Sequence, residues 1–168
     1  VRQKGPLHFA SASYRLFSEF YVGVGYVTGS VETRFALDRP GPPLPVDPVF
    51  ELDTAAITVP FHVDTRDNEQ FPRDGWYVEG RGAFFRESVG SDFDTDTFKL
   101  AVNRYWPVGH GDAVAARAVF RSAGNDAPFF LLSTFGGKTD LRGYPEGRYR
   151  DQKMYALQAE YRRQVNEQ

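Results

Sequence analysis

The stretch that decides the fold is Leu52-Asp53-Thr54-Ala55-Ala56-Ile57-Thr58-Val59-Pro60-Phe61-His62-Val63-Asp64. Ala55, Ile57, Val59, Phe61 and Val63 fall on one side of an extended chain. Thr54, Ala56, Thr58, Pro60, His62 and Asp64 fall on the other. A period of two marks a β-strand with one face in an apolar medium. The same period runs outward in both directions. Trp76 to Glu87 puts Trp76, Val78, Gly80, Gly82 and Phe84 opposite Tyr77, Glu79, Arg81 and Ala83. Phe98, Leu100, Val102 and Trp106 alternate with Thr97, Lys99, Ala101, Asn103 and Tyr105. Val114 to Arg121 and Met154 to Arg162 repeat the pattern. Two further strands are predicted over Leu7 to Phe17 and Glu19 to Phe35, the second Gly-rich at Gly23, Gly25 and Gly29, where bends or bulges are expected.

About seven strands result, most of them 10 to 15 residues long. Globular strands average about five or six residues, whereas a membrane-spanning strand needs roughly 9–11. Turn signals at Phe17-Ser18-Glu19, Asp67 to Asp74 and Pro107 to Asp112 are short. Between them lie a Pro-rich loop (Asp38 to Pro48), an acidic loop (Ser88 to Thr95) and a long loop (Ala123 to Asp151). Outer-membrane barrels alternate short periplasmic turns with longer external loops in this way. Phe61, Trp76, Tyr105, Trp106 and Tyr161 at strand ends suit an interfacial girdle. A soluble lipocalin-like barrel, of about eight strands around one ligand, is the alternative at this length.

Composition leaves both readings open. The 168 residues are 41% hydrophobic and 25% charged, with a mean hydropathy of −0.47. A barrel that alternates apolar and polar residues averages to such a value. A net charge of −2 gives nucleic acid no basic field. Cysteine is absent, which excludes disulfides, zinc–thiolate sites and thiol catalysis. The 26 aromatic residues argue against disorder. Polar ends at Val1 to Pro6 and Gln164 to Gln168 suggest a portion of something longer.

Motifs for chemistry are weak. Gly136-Gly137-Lys138-Thr139 lacks the first Gly of a phosphate-binding loop, Leu132 standing there. Asp92, Asp94 and Asp96 imitate a calcium loop, but Thr97 replaces its Gly and Asn103 its bidentate Glu. His8, His62 and His110 are scattered, with no partner set. Glu79 with Arg81, and Glu160 with Arg162, read as ion pairing across strands rather than as acid and base. No catalytic residue, metal or cofactor is expected. Arginine outnumbers lysine 16 to 4, which suits fixed pairing with carboxylates.

From Asp64 onward the chain resembles the barrel domain of the bacterial surface antigen family, the superfamily of BamA, TamA and the two-partner-secretion transporters. The resemblance rests on an ordered set of motifs. Asp64-Thr65-Arg66-Asp67 ends a strand and Phe71-Pro72-Arg73-Asp74-Gly75 makes the turn. Tyr105-Trp106-Pro107, Phe129-Phe130, Gly136-Gly137 and Leu141-Arg142-Gly143-Tyr144 follow, then Ala159-Glu160-Tyr161-Arg162. About 100 residues are covered, and the first 60 fit only as generic barrel strands.

The resemblance implies an all-β fold: an antiparallel transmembrane β-barrel, of which residues 1–168 form an incomplete portion of sixteen strands. It implies that the loop of residues 123–151 folds inward and that Arg142 anchors it to acidic groups of the lumen wall. Glu79, Glu87 and Glu160 are the local candidates for those groups, with Gly143 and Tyr144 shaping the motif. It implies insertion of outer-membrane proteins or secretion of a polypeptide, without catalysis, or the anchor barrel of a patatin-like lipase. The expected partners are the outer-membrane bilayer of a Gram-negative-type bacterium and unfolded outer-membrane or secreted polypeptide clients, with no nucleic acid.

Overall fold

A computed structural model describes residues 2–34, 49–109, 111–136, 145 and 147–165. Among the described residues ten strands occur: β1 (Arg2–Lys4), β2 (Leu7–Phe17), β3 (Phe20–Arg34), β4 (Val49–Asp64), β5 (Gly75–Phe85), β6 (Thr95–Pro107), β7 (Ala113–Ala123), β8 (Ser133–Phe135), β9 (Tyr149–Asp151) and β10 (Lys153–Arg162). Seven of these are long, and they form one antiparallel meander in chain order. β1 continues β2 along the same edge of β3, with Lys4 opposite Glu32 and Leu7 opposite Gly29. The polar start of the chain is therefore strand, interrupted at Gly5-Pro6, where proline has no amide to donate.

The sheet is a single layer and does not close on itself among the described residues. β2 forms one edge and β10 the other. Register sorts the side chains into two faces. Ile57, Val59, Phe61 and Val63 lie opposite Phe84, Gly82, Gly80 and Val78. These lie beside Phe98, Leu100 and Val102, then Phe120 and Ala118, then Tyr155 and Leu157. This apolar face is well exposed at its β10 edge, Tyr155 at 71% and Leu157 at 84%. The opposite face carries His62, Tyr77, Glu79, Arg81, Lys99, Asn103, Arg117, Arg121, Gln158 and Glu160.

Three details depart from the sequence expectation. Register runs unbroken from Val22 opposite Phe61 to Gly25 opposite Thr58, so the β3 glycines are not bulges. They admit close neighbours instead: a Cβ on Gly25 would stand 2.7 Å from Thr58 Oγ1. The irregularity lies between Arg15 and Phe17, beside Ser18, which turns with φ 44°. Phe61 is no girdle residue, since it lies level with Gly80 and Leu100 in mid-sheet, and neither is Tyr105. It pairs with Gly75 and Ala115 on the polar face, and the Arg162 guanidinium carbon lies 5.5 Å from its ring centroid. Finally, the loop from residue 123 to 151 holds a 3-10 turn at Phe129–Leu131 and the β8–β9 hairpin.

Candidate functional site: the polar wall and the segment folded over it

The polar face is a wall of paired charges toward the short-turn end. Arg66 grips Asp64 bidentately: Nε donates to Oδ1 at 2.8 Å and Nη2 to Oδ2 at 2.6 Å. The same guanidinium lies 4.3 Å from the Tyr77 ring centroid. Tyr77 donates its hydroxyl to Glu79 at 3.3 Å, and Lys99 donates to the other Glu79 oxygen at 3.4 Å. Asn103, buried, donates to the Tyr77 carbonyl. His62 stacks on Tyr21 with ring centroids 4.6 Å apart.

The turn between β4 and β5 is longer in reach than its sequence suggested. Asp67 and Asn68 cap it by accepting backbone amides of Arg73, Asp74, Gln70 and Phe71. The Arg73 and Asp74 amides hold the exposed Asp67 carboxyl below the ordinary carboxylate range. Arg73 then bonds the Gly111 carbonyl and Gln164, and Arg162 donates to the Pro72 carbonyl. The turn thus crosses to the β6–β7 turn and the end of β10. It borders an open cleft of about 830 Å³ lined by Phe71, Arg73, Glu160 and Arg162.

Level with Glu79, and again at the long-loop end, the wall becomes small and apolar. Ala101, Val119 and Ala156 stand side by side in register, and with Met154 they form a buried cluster. Ala56, Ala83 and Phe85 form a second. Alanines let another backbone approach closely, and the segment after β7 uses them. Phe135 packs on the first cluster, Leu131 and Phe93 on the second. Phe93 sits between Phe85, on which it is tilted, and Phe130, which it meets edge-on, with centroids at 5.7 and 6.0 Å. Arg121 donates to the Thr134 carbonyl at 2.8 Å, and Arg150 to that of Phe129, its guanidinium 4.4 Å from the Phe129 ring centroid.

The sequence-predicted residues fare unevenly. Leu141, Arg142, Gly143, Tyr144 and Gly137 lie outside the described residues, as do Lys138, Thr139 and His110. Gly136 is described: buried, with a φ of 112° that favours glycine as β8 ends. Glu79 is on the polar wall and already bonded to Lys99 and Tyr77. Glu160 is there too, paired within its own strand to Arg162 at 3.1 Å, not across strands. Glu87 is not on the wall. It sits exposed in a 3-10 turn (Glu87–Val89), because the chain leaves the sheet at Phe85. Asp92, Asp94 and Asp96 diverge: Asp92 accepts from the Asp53 amide, Asp94 from the Glu87 amide, and Asp96 pairs with Arg86. The alanine platform went unread in the sequence. Its signal was present, since small apolar residues recur on the face that otherwise carries charge.

An antiparallel sheet of long strands, apolar on one face and polar on the other, with a hairpin laid over the polar one, is a segment of a transmembrane β-barrel. The comparisons place it more closely. The Omp85 superfamily domain matches residues 46–166, more than half of the chain, and the chain belongs to that superfamily. The match includes β4, ahead of the Asp64 at which the sequence resemblance began. Among solved structures, BamA from Haemophilus ducreyi lacking POTRA domains 1–3 superposes with a TM-score of 0.66 at 16% identity. That likeness covers 86% of this chain but 30% of the BamA chain. No curated protein matches in sequence. Superfamily membership sets aside the lipocalin-like alternative.

Proposed function

We propose that this chain is part of the wall of an outer-membrane barrel that inserts outer-membrane proteins or secretes a polypeptide. The carrying observation is the β8–β9 segment seated on the alanine platform of the polar face. A wall with a folded segment against it leaves a narrowed polar passage, which suits transit or templating of an extended chain and needs no catalytic group. In this reading the apolar face meets lipid, the short turns face the periplasm, and residues 123–151 are an external loop folded inward. The unpaired edges of β2 and β10 are continued by further strands, since a long bare edge invites pairing. Arg142 anchors the loop. Its carboxylate would come from strands beyond β10 rather than from Glu79 or Glu160, which already hold cations.

The test is Arg142→Ala in the full-length protein of a Gram-negative-type bacterium. The expected result is faster proteolysis of the loop together with reduced assembly of outer-membrane proteins, or reduced export of a secreted polypeptide. Normal levels of both in a strain depleted of the whole protein would overturn the reading.

A further inference from the structure

Two Arg–Asp pairs bracket the apolar face. Arg86 and Asp96 pair at the long-loop end, and Arg104 and Asp74 at the short-turn end. Along β6, Asp96 and Arg104 are eight residues apart on one face, about 27 Å at ~3.4 Å per residue. Tilted as barrel strands are, that span comes close to an apolar band of about 25 Å. Both pairs therefore sit at its borders, where an outward-facing arginine costs little.

The two pairs differ in what is left over. Arg86 also donates to the carbonyls of Phe85 and Thr95. Arg104 stands opposite Trp76 in register, with Trp106 two residues on. Its guanidinium carbon is 5.2 and 5.4 Å from the two indole centroids. One Nη1 bond goes to Asp74 Oδ1 at 3.0 Å. A guanidinium has five donors, and among the described residues the rest have no protein partner. Asp74 Oδ1 is taken further by the Gly75 amide, which leaves Oδ2 open on a carboxylate 56% exposed. Trp76 and Trp106 are 45% and 40% exposed.

We propose that Arg104, Asp74, Trp76 and Trp106 form a binding site for the headgroup of a zwitterionic aminophospholipid in the leaflet at the short-turn end. This rests on the membrane reading above. The free guanidinium donors match a phosphate, which arginine binds through planar paired bonds. Asp74 Oδ2 and the indole faces match the ammonium, the carboxylate by charge and the rings by cation–π attraction. A purely anionic headgroup satisfies Arg104 but meets Asp74 with like charge.

The test uses the full-length protein in phosphatidylcholine nanodiscs doped with either phosphatidylethanolamine or phosphatidylglycerol, with retained lipids counted by native mass spectrometry. Phosphatidylethanolamine should be retained in preference. Arg104→Gln should lower its retention about tenfold, the scale of a lost charge-assisted hydrogen bond. Asp74→Asn should abolish the preference while phosphatidylglycerol retention rises. Equal or greater wild-type retention of phosphatidylglycerol overturns the proposal, as does unchanged retention in Arg104→Gln. Quenching of Trp76 and Trp106 by tail-brominated lipid, with tryptophans elsewhere in the protein replaced by Phe, separates the two failures. Quenching without headgroup preference sinks only the site; no quenching sinks the membrane placement of this face.

Discussion

Truncating Phe135 to alanine probes what holds the β8–β9 hairpin to the wall. The ring is half-buried on the cluster of Ala101, Val119, Met154 and Ala156. Removing a fully buried phenylalanine costs about 3–5 kcal/mol; half of that is ~2 kcal/mol here. The bonds from Arg121 to Thr134 and from the Ala123 amide to Gln152 remain, so the hairpin loosens without leaving the sheet for good. At 1.4 kcal/mol per factor of ten, the open population rises about 30-fold. Amide hydrogen exchange in a bilayer-embedded sample reads this, because local exchange tracks the opening equilibrium. Thr134 and Arg150, paired in the hairpin, should exchange about 30-fold faster, while Leu100 in the sheet does not change. Phe71→Ala, at a ring 76% exposed, should leave all these rates alone. Hairpin rates within about twofold of wild type would refute the reasoning that the alanine platform is a seat.

Other outcomes follow from the same geometry. Lys99 lies between Arg81 and Arg121 in register, and like charges directly opposite repel. Glu79→Gln should therefore lower stability by about 0.5–1 kcal/mol, seen as a lower urea midpoint, and adding Lys99→Met should restore part of it. Gly80→Ala should destabilise by ~1–3 kcal/mol, since the new Cβ meets the Phe61 ring; an unchanged midpoint would show that the ring swings freely toward lipid. Asp67 has its folded pKa depressed by two backbone amides. Its contribution is thus fully present above the unfolded value near ~3.9 and is lost as pH falls through the folded one. Protection of the Arg73 and Asp74 amides should hold from neutral pH down to about 5, then fall in acid; Asp67→Asn should abolish that dependence.

The long strands were legible because each keeps one apolar face over ten or more residues. Leu7–Phe17 was read to its bounds, although that strand lies outside the family match. Ser133–Phe135 was not, because three residues carry no period and their partner Tyr149–Asp151 is remote in sequence. Tyr105 was misassigned because a residue near a strand end belongs to a girdle only if parity sends it outward, and parity sends it to Arg162. Glu87 was misplaced because alternation was continued past Phe85, where the backbone turns. The wall glutamates Glu79 and Glu160 were placed on the polar face and Arg162 was named beside Glu160, but pairing across strands was expected of it and Lys99 was missed as the partner of Glu79. Lys99 lies diagonally on the next strand and Arg162 two residues on, and composition does not choose between such neighbours.

Two-faced solvation of one strand is the most direct test of the account. Single nitroxide labels at 77 to 84 of β5, in the full-length protein in bilayers, report access to lipid-soluble oxygen and to a water-soluble nickel chelate. Alternation with period two is expected: positions 78, 80, 82 and 84 favour oxygen, 77, 79 and 81 favour the chelate, and 83, covered by Leu131 and Phe93, is shielded from it. Chelate access at every position, or the opposite phase, would contradict it.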